Sequence, residues 1–87
     1  MDIDFVGETD AFERQLLEQD LRAYGKLWDV LDALMSDPAE AKARARNSYV
    51  STKDLWGTKV PGTDLTIFWR TKGSVVEIHV IAHDLGV

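Results

Sequence analysis

The first residues alternate weakly, as Ile3-Asp4-Phe5-Val6, and stop at Gly7, a pattern that predicts a short strand. The apolar period then lengthens. Phe12, Leu16, Leu17 and Leu21 recur at helical spacing, and Asp10 followed by Glu13 has the form of an N-cap with a reciprocal acid, so a first helix is expected over residues 10–21. Tyr24, Leu27, Trp28, Leu31, Leu34 and Met35 repeat at intervals of three and four, predicting a second amphipathic helix that ends before Ser36-Asp37-Pro38, with Gly25 as the joint between the two. Asp37-Pro38-Ala39-Glu40 supplies a capping carboxylate, a proline at the first helical position and an early acid. A further helix is therefore expected over residues 39–47. Ala41-Lys42-Ala43-Arg44-Ala45-Arg46 also alternates with period two, but Ala, Lys and Arg form helices well and strands poorly. In a helix, Arg44 and Arg46 spread around the axis and make no single basic stripe.

From Leu55 onward the pattern belongs to strands: residues 55–60, a Pro61-Gly62 turn, residues 65–70, a Lys72-Gly73 turn and residues 75–82. A two-residue loop at Lys72-Gly73 pairs Trp69 with Val76, Ile67 with Ile78 and Leu65 with Val80, and these form the core face. The sequence thus predicts one α+β domain over residues 1–87: a short N-terminal strand, then a helical hairpin packed on one face of an antiparallel sheet.

The chain is long enough, at 87 residues and 45% hydrophobic content, for a single core. No apolar run approaches the roughly 20 residues of a membrane helix, and the N-terminus is acidic where a signal peptide is basic, so no membrane partner and a cytoplasmic location are expected. Absent cysteine removes thiolate chemistry, and two histidines are a poor zinc set, so neither metal nor cofactor is expected. The net charge of −5 argues against general nucleic-acid binding. That average hides an asymmetry: residues 1–37 carry ten acids and three bases, a net −7, whereas residues 38–87 carry seven bases and five acids, a net +2. An anionic partner is expected to meet the second half.

In the same register Thr66, Phe68 and Arg70 share the outer sheet face with Glu77, His79 and Ile81, and His83 continues that row past the strand end. Lys59 joins them if Val60 points inward. Arg70 and Lys59 are suited to a phosphate, a histidine to proton transfer near neutral pH, and Phe68 to stacking with a base. The competing reading is a solvated sheet face on which Glu77 pairs with Arg70 and His79 fills a cross-strand position. Trp28 and Trp69 fall at core positions of the periodic pattern, and Trp56 is open.

The order strand, two helices, meander resembles the RelE/ParE toxin superfamily of type II toxin–antitoxin systems. The matching residues are Leu31-Asp32-Ala33-Leu34 with Asp37-Pro38, Leu55-Trp56 through Lys59-Val60, Leu65-Thr66-Ile67-Phe68-Trp69-Arg70, Gly73, and Val75 through His83. For the RelE branch the resemblance implies a metal-free endoribonuclease that cuts messenger RNA on the ribosome and is silenced by a cognate antitoxin. Under it His83, Arg70 and Lys59 are the catalytic candidates, with Lys53, Phe68, His79, Arg44 and Arg46 as RNA-binding candidates. For the ParE branch it implies a non-catalytic protein acting on DNA gyrase. Two departures favour a non-catalytic binding protein: Asp64-Leu65 stands where the family has Tyr-Arg, and the chain ends at Val87 where nuclease members continue with arginine and often tyrosine. The acidic pI of about 4.8 points the same way.

Overall fold

The computed structural model describes residues 2–83. Strand β1 (Asp2–Phe5) leads into α1 (Thr9–Gln19), α2 (Leu21–Ser36) and α3 (Pro38–Arg44), and a single 3₁₀ turn (Arg46–Ser48) follows. Strands β2 (Trp56–Lys59), β3 (Leu65–Lys72) and β4 (Val75–His83) complete the fold. The sheet order is β1-β4-β3-β2. The meander is antiparallel as expected, but β1 lies parallel to β4, with Phe5 opposite Ile78, so the sheet is mixed rather than wholly antiparallel.

The helices break at Asp20, not at Gly25. Asp20 leaves the helical region (φ −147°, ψ 81°), and its carboxylate accepts the Ala23 N–H at 3.1 Å, capping α2. Gly25 sits inside α2. Asp10 is not the cap of α1 either: that position is Glu8, which makes no side-chain cap. The Thr9 hydroxyl instead donates to the carbonyls of Val6 (2.8 Å) and Ile78 (3.1 Å), tying the start of α1 to β4. Asp37 caps α3 through the Glu40 N–H as expected, but α3 stops at Arg44, before the expected residue 47.

The core is built by Leu27, Leu31 and Leu34 of α2 against Val60, Leu65, Ile67, Trp69, Val76, Ile78 and Ile81. Trp69 is fully buried, and its indole N–H donates to Thr58 Oγ1 at 2.9 Å, so the largest core side chain carries no unmet donor. Trp28 and Trp56 pack at the margin of this core; Trp28 donates to Glu13 at 3.2 Å, and Trp56 lies 4.5 Å from the Tyr49 ring.

The β3–β4 register differs from the expected one in two ways. The loop is Gly73-Ser74, with Lys72 opposite Val75, because Gly73 at φ +60° supplies the positive φ that a two-residue hairpin needs at its first loop position. Trp69 therefore faces Ile78 instead of Val76, which keeps both on the core side. Between Trp69↔Ile78 and Phe68↔Val80 the ladder skips His79, a β-bulge. Beyond it the inside and outside of β4 are exchanged. Ile67 pairs with Ile81 and Leu65 with His83, so Ile81 is buried whereas Val80, an expected core residue, is 42% exposed.

The bulge makes opposite demands on two neighbours. Ile81→Lys places an unpaired charge in the core and is expected to cost several kcal/mol, whereas Val80→Lys changes stability by about 0.5 kcal/mol or less. Urea unfolding of both variants checks this, and an unbroken alternation along β4 would give the reverse order.

Candidate functional site

On the face of the sheet away from α1 and α2, Arg70 and Glu77 are direct cross-strand partners. Arg70 Nε donates to Glu77 Oε1 at 2.9 Å, and His79 Nε2 lies 3.2 Å from the same oxygen. The hydrogen bond from Arg70, then that from His79, holds the Glu77 carboxyl below its ordinary range, against the opposing effect of its partial burial. The Arg70 guanidinium is thereby committed to an internal carboxylate, and a phosphate at this position has to compete with Glu77.

His83 is not part of this cluster. It is opposite Leu65, on the helix side of the sheet, because the bulge at His79 has turned it there. Its ring centroid lies 5.7 Å from that of Phe12 in α1, and Nδ1 is 2.9 Å from Asp64 Oδ2. The continuous outer row of Arg70, Glu77, His79, Ile81 and His83 expected from the sequence is therefore broken after His79, and Ile81 and His83 are the residues moved. Asp64, the residue that orients His83, lies outside the expected site. Nothing in its loop position marks it as a histidine partner until the register brings β3 and β4 together.

Lys59 closes β2 opposite Thr66, on the same face as Phe68, whose partner is Gly57. A Cβ added to Gly57 would stand 3.1 Å from both Phe68 Cε1 and Ser48 Cβ, so the missing side chain is what allows the segment after α3 to fold over the β2 edge. There a cleft of about 550 Å³ runs between α2, α3 and β2 onto the Phe68 ring, lined among others by Val30, Leu34, Ala41, Arg44, Lys59 and Phe68. Arg44 also forms an exposed ion pair with Glu40 at 2.8 Å, one turn away on α3. Arg46 and Lys53 are exposed and do not line this cleft. Among the RNA-binding candidates, Arg44 and Phe68 are thus brought together, His79 lies by Glu77, and Arg46 and Lys53 stand apart.

Among the described residues no three His, Cys, Asp or Glu side chains gather as a metal site, and no helix is long and apolar enough to cross a membrane.

Because the folded Glu77 carboxyl binds its proton more weakly than an unfolded one, its contribution to stability is full above the unfolded carboxylate pKa and fades as pH falls through the folded value. The difference in urea midpoint between the wild type and Glu77→Gln is expected to be largest at neutral pH and to shrink progressively as the pH falls below the ordinary carboxylate range. Parallel unfolding curves at pH 7 and in acid measure it. No family model, no curated protein and no solved structure matches this chain.

Proposed function

We propose that this chain is a toxin of the type II toxin–antitoxin kind that acts by binding a protein and not by cutting RNA. The observation that carries this reading is the division of its three catalytic candidates: Arg70 and Lys59 share the outer face, and His83 lies with Phe12 on the helix side. Phosphoryl transfer from a 2′-hydroxyl needs the proton-transfer group and the phosphate-binding cations within hydrogen-bond reach of one reacting centre. Arg70 is further neutralised by Glu77. What the β2 edge of the sheet offers instead is a largely apolar cleft between α2, α3 and the strand, lined by Phe68 and by the exposed Arg44 and Lys59. An aromatic anchor inside a polar rim is the composition of a protein-binding patch. The partners proposed for it are a protein target such as DNA gyrase and, for silencing, a cognate antitoxin.

Induced expression in a bacterial host with mapping of messenger RNA ends tests this reading. The expected outcome is growth arrest without new RNA ends, retained in Arg70→Ala/His83→Ala and lost, by tenfold or more in surviving cells on the order expected for a hot-spot residue, in a folded Phe68→Asp variant. New RNA ends that vanish in the double variant would replace it with a RelE-type nuclease acting on ribosome-bound RNA through His83, Arg70 and Lys59.

A further inference from the structure

A second concave region lies on the helix side of the sheet, where the start of α2, the β2–β3 turn and the end of β4 meet. It encloses about 260 Å³ and is lined by Asp20, Arg22, Lys26, Gly62, Asp64 and His83, with several apolar neighbours. A contiguous cleft of about 360 Å³ shares Leu16, Asp20 and His83 and adds Phe12.

The charges here are unequally satisfied. The Asp20 carboxylate accepts the Ala23 N–H, and the Asp64 carboxylate is engaged by His83 Nδ1. Arg22 and Lys26 have no hydrogen-bond or ion-pair partner among the described residues. They stand four residues apart on α2, a spacing at which like charges repel. Lys26 is half-buried, and its ammonium occupies the space above Gly62 that a side chain would fill; Gly62, at φ +77°, is both turn-forming and room-making. The Asp64 contact assigns the proton of a neutral imidazole to Nδ1, which leaves Nε2 as the ring's hydrogen-bond acceptor.

We propose that this cleft binds a small phosphate or phosphate monoester, its oxygens held by Lys26 and Arg22 and one oxygen hydrogen-bonded to His83 Nε2. One proton serves the contact whichever group carries it: a P–OH donates to neutral Nε2, or a protonated Nε2 donates to the dianion. The anion also lies between Arg22 and Lys26 and removes their mutual repulsion. The volume suits a phosphoryl group, and the contiguous cleft beside Phe12 and Leu16 offers an apolar surface to an esterified one.

Titration of the intact chain with sodium phosphate, followed by backbone and imidazole NMR signals at constant ionic strength, tests the site. Saturable shifts are expected at residues 20–26, at residues 62–65 and at the His83 ring. Affinity is expected to fall roughly tenfold or more in Lys26→Met and in Arg22→Ala, the loss of one charge-assisted hydrogen bond, and to be unchanged in Arg44→Ala. A nucleoside 5′-monophosphate in place of phosphate separates the two sources: tighter binding with added shifts at Phe12 and Leu16 assigns an ester, and equal binding assigns the free anion. Shifts that fail to saturate, that chloride reproduces, or that a folded Lys26→Met retains in full overturn the proposal. None of these readings depends on toxicity, so this site and the protein-binding cleft stand or fall separately.

Discussion

The pairing of β3 with β4 governs the rest of the molecule, because it is the longest ladder in the sheet and it carries the side chains against which α2 packs. Its two special positions have separate causes. Gly73 determines where the hairpin turns, through a backbone angle that side chains rarely adopt. The bulge at His79 then accommodates one extra residue and reverses the facing of everything after it. With that reversal, Leu65, Ile67 and Trp69 meet Ile78 and Ile81 in one buried layer, closed by Leu27, Leu31 and Leu34. Without it Val80 would take the place of Ile81 in the core, and His83 would project from the other side.

The same bulge separates two kinds of chemistry. Before it, Arg70, Glu77 and His79 form a compact network in which one carboxylate oxygen serves two nitrogens, one from across the ladder in β3 and one two residues along β4. Such a network favours the ionised carboxylate and restrains the arginine, which suits a structural role in the outer face better than open capture of a phosphate. After it, His83 is handed to the helix layer and oriented by Asp64, near the positive residues of α2 that the acidic first half of the chain otherwise obscures. Net charge by half is thus a poor guide to local potential. Acids that cap helices or orient a histidine are already hydrogen-bonded, and two bases on one helix face remain without partners among the described residues.

The β2 end of the sheet shows how little sequence is needed to shape a surface. β2 has only four residues, and one of them is Gly57, which admits Ser48 beside the Phe68 ring. A Cβ there would stand 3.1 Å from both Ser48 Cβ and Phe68 Cε1, so one of these neighbours would have to give way at the wall of the cleft.

Much of the architecture was legible from periodicity alone. The helical spacing of Leu27, Leu31 and Leu34, the alternation of Leu65, Ile67 and Trp69, and the Asp37-Pro38 cap each express a local rule that the folded chain obeys, and together they specify the α+β class. Four features required tertiary structure. The helix break at Asp20 depends on a cap that outweighs the weak intrinsic preference of Gly25, and the parallel docking of β1 depends on the path of the intervening helices. The bulge at His79 leaves no mark in a pattern of period two, since the stretch from Val75 to Ala82 is apolar on both sides of the alternation in its second half. The contact between Asp64 and His83 joins residues 19 apart, and only the strand register brings them together. Local hydrophobic pattern therefore determined which residues form elements and which of those elements are buried. Tertiary pairing alone decided which face each polar side chain at the end of β4 occupies, because a single inserted residue changes facing without changing composition.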